Sequence, residues 1–230
     1  MKKIAIIPAR GGSKRIPRKN IQLFMGKPIL AYSIQIALQS GLFDEIMLST
    51  DDKEIADIAL QYGAKVPFMR SAENANDFAG LAQVVEEVLD NYKNKGVTFD
   101  FVCCILPTAP LLQVEDLIQS YYQLVDSEFT SLCSVVAFSY PILRSLTVSD
   151  NKKVEMYFPE YKNARSQDMP TFYHDAGAFY WSSVDAFYQH KRFLSSNCMA
   201  YIINEIKTQD IDNDSDWKLA ELKYQLLKSN

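Results

Sequence analysis

The segment that most constrains this chain is its beginning. Lys3 to Ile7 is a short β-branched run stopped by Pro8, and Ala9 to Asn20 is a polar loop carrying Gly11 and Gly12. Helical spacing takes over near Pro28. Strand, long loop and helix in that order are the opening unit of a wound α/β sheet, whose parallel strands need a crossover between them.

The first half keeps this rhythm. Pro28 is predicted in the first turn of the helix, where its missing N–H costs nothing, and Gly41 at the helix end. Glu45 to Ser49 reads as a strand, Asp51 or Asp52 as the cap of a helix through Gln61, and Lys65 to Phe68 as a strand after the turn Tyr62-Gly63-Ala64. A helix from about Ala79 to Tyr92 precedes a buried strand, Phe99 to Ile105. The expected fold class is α/β: a three-layer α/β/α sandwich with a mostly parallel sheet and right-handed crossovers. Ligands gather at the strand C-termini of such a sheet.

After Val136 the pattern breaks. Residues 139–172 mix extended pieces, turns and charges, and are expected to leave the sheet as a two-stranded arm. Exposed strand edges seek a partner, so the arm implies a homodimer. Ala178 to Trp181 and Met199 to Ile203 return to strand, and a helix closes the chain after an acidic turn from Asp210 to Asp216. Residues 1–230 read as a single domain carrying that arm.

A net charge of −4 over 230 residues speaks against a nucleic-acid partner, which calls for a basic surface. The apolar run after Met1-Lys2-Lys3 is cut short by Pro8 and Arg10, and no stretch is long enough to span a bilayer. A cytoplasmic protein is expected. Cys103, Cys104, Cys133 and Cys198 are too few and too irregular for a disulfide framework or a zinc site, and read as reduced core thiols.

Against that acidic background the opening loop stands out, because Arg10, Lys14, Arg15, Arg18 and Lys19 put five cations within ten positions. A charge run is usually a solvated surface. This one follows the first strand, where a wound sheet binds ligands, and Gly11 and Gly12 can turn N–H groups toward an anion while Ser13 adds a hydroxyl. Pro8 and Pro17 brace the loop and lower the entropy lost on closure. The spacing matches neither the Walker A loop nor the dinucleotide fingerprint, which excludes a P-loop ATPase and a Rossmann dehydrogenase.

Asp210-Ile211-Asp212 sets two carboxylates at i and i+2, on one face of an extended segment, where they can share a hard cation. Asp-rich turns also cap helices, and Asp214 or Asp216 fits that role, so the residues alone leave both readings open. Arg70 by itself reads as a surface salt bridge. His174 reads as a substrate contact or structural residue in preference to a catalytic base, His190 as surface, and Phe172, Tyr173, Phe179, Tyr180 and Trp181 mostly as core.

The run Ile6-Ile7-Pro8-Ala9-Arg10-Gly11-Gly12-Ser13-Lys14-Arg15-Ile16-Pro17-Arg18-Lys19-Asn20 closely resembles the signature of the CMP-sialic acid synthetase family, cytidylyltransferases of nine-carbon sugar acids. Ser49-Thr50-Asp51-Asp52, Val66-Pro67-Phe68-Met69-Arg70 and Asp210-Ile211-Asp212 extend the resemblance over most of the chain. Tyr173-His174-Asp175-Ala176-Gly177-Ala178-Phe179-Tyr180-Trp181 looks like the pseudaminic acid branch. The resemblance implies transfer of CMP from CTP to the anomeric hydroxyl of the sugar acid with release of pyrophosphate and no covalent enzyme intermediate.

By that resemblance Arg10, Lys19, Asp210 and Asp212 are catalytic, with Asp210 and Asp212 holding Mg²⁺. Ala9, Arg10, Gly11, Gly12, Ser13, Lys19, Asn20 and Arg70 bind the nucleotide, Arg70 at the cytosine. Arg144, Arg165, Gln167, Tyr173 and His174 bind the sugar acid, with Arg165 or Arg144 on its carboxylate and Arg165 able to reach a neighbouring subunit. Where the family usually has Gln before Pro107-Thr108, this chain has Leu106, which removes one polar contact. It also has His174 and Ala176 where neuraminic members carry Arg and Asn. Neuraminic, legionaminic or 3-deoxy-octulosonic acid are the alternative acceptors, and a non-catalytic nucleotide sensor of the same fold is the alternative of another class.

Overall fold

The computed structural model describes residues 1–229. The chain runs through β1 (Lys3–Pro8), β2 (Leu23–Phe24), β3 (Lys27–Pro28), α1 (Ile29–Ser40), β4 (Glu45–Ser49), α2 (Lys53–Gln61), α3 (Ala72–Ala75) and α4 (Leu81–Asn94). It continues with β5 (Phe101–Ile105), α5 (Val114–Val125), β6 (Ser131–Ala137), β7 (Leu146–Val148), β8 (Val154–Met156), β9 (Tyr173–Ser183), α6 (Val184–His190), β10 (Cys198–Ile202) and α7 (Asp214–Ser229). Six strands form one sheet in the order β10-β6-β9-β5-β1-β4. Five run in one direction, and β9 lies antiparallel between β5 and β6.

Alternation along the strands divides the interior into two layers. Ala5, Ile7, Leu48, Cys103 and Ile105 face one way, against Leu30 and Ile34 of α1, Ile55 of α2 and Leu117 of α5. Ile4, Ile6, Met47, Val102 and Cys104 face the other way, against Val85, Val88 and Leu89 of α4 and Phe187 of α6. The three-layer α/β/α expectation holds. The adjacent thiols of Cys103 and Cys104 enter opposite layers, and burial pushes both upward in pKa. All four cysteines are free.

Local signals act where the sequence places them. Gly41 ends α1 at φ 61°, a left-handed position that suits glycine, and the Asp52 carboxylate caps α2 by accepting from Ile55 N at 3.0 Å. Other expectations need correction. Lys65 to Phe68 is no strand: Lys65 bridges Met47 alone, because Pro67 has no N–H to extend a ladder. Pro28 precedes the first helical residue and pairs with Leu23 in a miniature hairpin turned by Met25 and Gly26, both at positive φ. The helix expected from Ala79 begins at Leu81, and the strand expected from Phe99 begins at Phe101. Phe172 and Tyr173 are exposed, and His190 is half-buried.

Between β6 and β9 the chain leaves the sheet, and β7 and β8 form an antiparallel hairpin there. No helix among the described residues is long and apolar enough to cross a membrane.

Candidate active site

The opening loop is held by groups from other segments of the chain. Ala9 N donates to Ser49 O and Gly11 N to Asp51 Oδ1, each at 2.9 Å, which ties the loop to the C-terminal end of β4. A Cβ on Gly11 would lie 2.8 Å from Asp52 Oδ2, so any side chain there forces Asp52 or the loop to move. Gly12 is different: a Cβ there would meet nothing within 4 Å. Only the first glycine is sterically required, and its N–H serves Asp51 instead of an incoming anion.

Each cation of the loop has a protein partner. Arg10 Nη1 bonds Asp77 Oδ1 at 2.8 Å and Asn76 O at 3.0 Å, and Lys14 shares Asp77. Arg15 pairs with Asp212 at 2.5 Å. Arg18, itself at φ 57°, forks onto Asp52 and reaches Glu54. These contacts hold the carboxyls of Asp52 and Asp77 below the usual carboxylate range, through hydrogen bonds from Arg18 and from Lys14 respectively. Asn20 is buried and donates from Nδ2 to Arg10 O at 2.9 Å, so it shapes the loop from beneath.

Packing joins this loop to the acidic segment near the C-terminus. Ile16 and Ile211 are buried in one cluster with Phe24, Ile29, Tyr32 and Trp217. With Ile211 turned inward, Asp210 and Asp212 flank it on the open side, as the i, i+2 spacing predicts. Lys19 Nζ donates to Ile211 O at 2.6 Å and lies in the field of both aspartates. Burial lowers the Lys19 pKa, and Asp212 and Asp210 oppose that shift. Loss of solvent, then the like charge of Asp212, raises the carboxyl of Asp210. Asn213 caps α7, its Oδ1 accepting from Ser215 N at 2.8 Å and Asp216 N at 3.1 Å. Of the two aspartates expected there Asp216 completes the cap by reaching back, its Oδ2 accepting from Asp212 N at 2.9 Å and Asn213 N at 3.1 Å.

Two cavities adjoin this group. One of about 420 Å³ is lined by Arg10, Ser13, Lys14, Arg15, Lys19 and Asn20 of the loop and faces Leu106, Pro107 and Thr108 after β5. The second, about 220 Å³, is lined by Asp210 with His174, Ala176, Ser139, Glu205 and Lys223 among others. It opens where β9 bulges at Gly177, whose φ is 61° and whose Cβ position lies 3.9 Å from Asp210 Cγ. Thr208 Oγ1 donates to Ala176 O at 2.6 Å and so locks the acidic segment to that bulge.

Arg70 lines neither cavity. It is buried, with Nε donating to Ser49 Oγ at 3.0 Å and Nη2 to Ser49 O at 2.6 Å, and burial lowers its pKa. The cations expected at the sugar carboxylate are elsewhere too. Arg165 forks onto Asp168 at 2.7 and 3.2 Å on the exposed arm, Arg144 reaches Ser166 at 3.4 Å, and Gln167 sits in the same short turn. Tyr173 pairs with Ala137 on β6 and lines neither cavity, whereas its neighbour His174 does line the smaller one. His174 Nδ1 lies 2.9 Å from Asp175 O. A carbonyl only accepts, so Nδ1 is the donor in this contact.

Sequence reading missed Asp77, Glu205 and Lys223. Each meets the site only through folding: Asp77 is 67 positions from Arg10, and nothing in its local pattern marks it.

The sequence profile of the family described as Cytidylyltransferase matches residues 4–218. The chain is 40% identical over 226 residues to the pseudaminic acid cytidylyltransferase of Campylobacter jejuni, covering 98% of this chain and 97% of that one. It is 35% identical over 233 residues to the CMP-N,N'-diacetyllegionaminic acid synthase of Legionella pneumophila, with coverage of 98% and 97%. Among solved structures, CMP:2-keto-3-deoxy-manno-octonic acid synthetase complexed with CTP superposes with a TM-score of 0.71 over the whole of both chains, at 18% identity, a likeness of fold. A loop of cations at the end of the first strand and a family match across nearly the whole length agree, and the chain belongs to the cytidylyltransferase family, enzymes that move a cytidylyl group from CTP to an acceptor.

Proposed function

We propose that this chain transfers CMP from CTP to the anomeric hydroxyl of pseudaminic acid, releasing pyrophosphate. The observation that carries the choice of acceptor is the 40% identity, over 98% of the chain, to a protein named for that reaction. The two adjoining cavities suit it: a cationic one for the triphosphate and a smaller one, walled by Asp210 and His174, for the sugar.

The oxygen of the anomeric hydroxyl attacks the α-phosphorus, the hydroxyl proton leaves, and the bond from the α-phosphorus to the bridging oxygen breaks to free pyrophosphate. Positioning and charge neutralisation supply catalysis of such a displacement. Arg10, Lys14 and Lys19 are the cations for the phosphates, and each gives up a protein acceptor as the nucleotide arrives. Ser13 adds a hydroxyl to the same wall.

Asp210 and Asp212 fit a divalent cation, Mg²⁺ in this reading. Both are hard oxygen donors, and burial first, then the like charge of Asp212, raises the carboxyl of Asp210, a strain on its charge that a cation would relieve. No third His, Cys, Asp or Glu joins them among the described residues, which leaves room for phosphate oxygens. When bound, such an ion neutralises charge on the phosphates. Arg15 holds Asp212 until then.

The reading includes a homodimer of single-domain subunits, seated through residues 139–172. The hairpin exposes Leu146 (59%) and Val148 (68%), apolar side chains on an unpaired edge. Arg144, Arg165 and Gln167 are then offered to the second copy's sugar cavity. The reading sets the reaction in the cytoplasm, and four free cysteines accord with that.

Pyrophosphate release from CTP and Mg²⁺ is to be followed with pseudaminic, legionaminic or N-acetylneuraminic acid in separate reactions. Release with pseudaminic acid at the greatest kcat/KM is expected. A larger kcat/KM for another acid overturns the acceptor, and silence with every sugar acid overturns the reaction. Sedimentation of the same preparation tests the dimer, which a monomer at assay concentration would refute.

A further inference from the structure

The smaller cavity contains one cation that the sequence pattern never marked. Lys223 projects from α7, and its Nζ donates to Glu205 O and to Thr208 O, each at 2.9 Å. An ammonium has three donors, so one remains without a protein acceptor among the described residues. Among the described residues no carboxylate lies within salt-bridge distance of it, although Glu205 acts on it from farther off. Burial depresses its pKa, and the charge of Glu205 opposes that shift.

Lys223 is also the only lysine or arginine lining that cavity among the described residues. The other charged groups there are Asp210 and Glu205, whose Oε1 already accepts from Ser139 Oγ at 3.0 Å. In a 2-keto sugar acid the carboxylate is attached to the anomeric carbon itself. The group that reads it must therefore sit beside the attacking oxygen, in the cavity that Asp210 walls. Arg144 and Arg165 of the same chain are on the arm and do not reach it, so only a second copy could bring them there, whereas Lys223 is in place within one chain.

We propose that Lys223 is the receptor for the carboxylate of the sugar acid, which rests on the acceptor class proposed above. The two backbone carbonyls aim the ammonium, and the substrate carboxylate takes the remaining N–H. The same contacts make Lys223 a strut between α7 and the segment leading to Asp210, so carboxylate binding and placement of Asp210 are set by one side chain.

The test compares kcat/KM for the sugar acid and for its C1 carboxamide in the wild type, Lys223→Met, Lys223→Arg and Arg165→Met. A charge-assisted hydrogen bond is worth about tenfold to a hundredfold in the preference for carboxylate over carboxamide. Lys223→Met should erase that preference and Lys223→Arg keep most of it. General damage to the fold lowers both substrates together and cancels in the ratio. A Lys223→Met enzyme that prefers the acid as strongly as the wild type overturns the assignment, and loss of the preference in Arg165→Met instead gives the role to the arm. A wild type that is active on sugar acids but indifferent to the carboxamide change sinks this proposal alone. A wild type that uses no sugar acid sinks the acceptor class and this assignment with it.

Discussion

Replacing Gly11 by Ala puts a methyl group 2.8 Å from Asp52 Oδ2 and 3.0 Å from Asp52 Cβ. Nothing real tolerates the first distance, so either Asp52 swings away or the loop lifts. Asp52 holds two posts: it caps α2 through Ile55 N, and it takes the fork of Arg18. Losing an N-cap costs about 1 kcal/mol. The Arg18 pair is partly exposed, at 39% and 22%, and screening limits it to at most about 1 kcal/mol. The sum of about 2 kcal/mol lowers Tm by roughly 4–8 °C for a chain of this size. If the loop lifts instead, the cost moves to CTP, because the bonds from Ala9 N to Ser49 O and from Gly11 N to Asp51 that tie the loop to the end of β4 are broken. Gly12→Ala is the control, since its methyl meets nothing within 4 Å and should stay within about 0.5 kcal/mol of the parent. Thermal melts and KM for CTP on both variants decide the matter. A Gly11→Ala protein matching the parent in both, or a Gly12→Ala protein as damaged as Gly11→Ala, would refute the claim that the first glycine alone is required.

Two further outcomes follow from the charges around Ile211. Asp210 is ionised against a raised pKa, so its charge destabilises the fold above the folded pKa, and the penalty fades as pH falls through the folded pKa and is gone below the ordinary aspartate value of about 3.9. Asp210→Asn should therefore melt higher than the parent at neutral pH, lose that advantage toward pH 4, and turn over at least about a hundredfold more slowly; a lower Tm at neutral pH contradicts the crowding. Lys19 has the opposite sign: its lowered pKa means the ammonium is lost below the ordinary lysine value of about 10.4. The alkaline limb of kcat/KM for CTP should begin correspondingly early and move upward in Lys19→Arg, and an unmoved limb removes Lys19 from the phosphate contacts.

Much of the scaffold is local and was legible. Pro8 stops β1, Gly41 ends α1 and Asp52 caps α2 because backbone conformation and hydrogen bonding act over a few residues. Strict alternation in Phe101-Val102-Cys103-Cys104-Ile105 is enough to send neighbours into two layers. Where a local rule met a competing one, sequence reading failed. Lys65 to Phe68 has strand composition, but Pro67 denies it a ladder, and Met25 takes a positive φ that its side chain disfavours in order to turn β2 into β3.

The chemical character of the site was likewise written in the chain. A cationic loop behind the first strand and an Asp-Ile-Asp triplet hold wherever they are folded, since charge belongs to residue type and the two faces of an extended triplet follow from its pleat. Which groups answer those charges was decided by tertiary structure alone. Asp77 neutralises Arg10, Arg15 holds Asp212, and Ile16 meets Ile211 only because separated segments share a sheet end and a core. Lys223 is an ordinary helical lysine in sequence, and it faces the cavity of Asp210 only because α7 packs Trp217 and Ala220 against that core. Electrostatic pairing falls off within several ångströms, and distance in space cannot be read from distance along a chain.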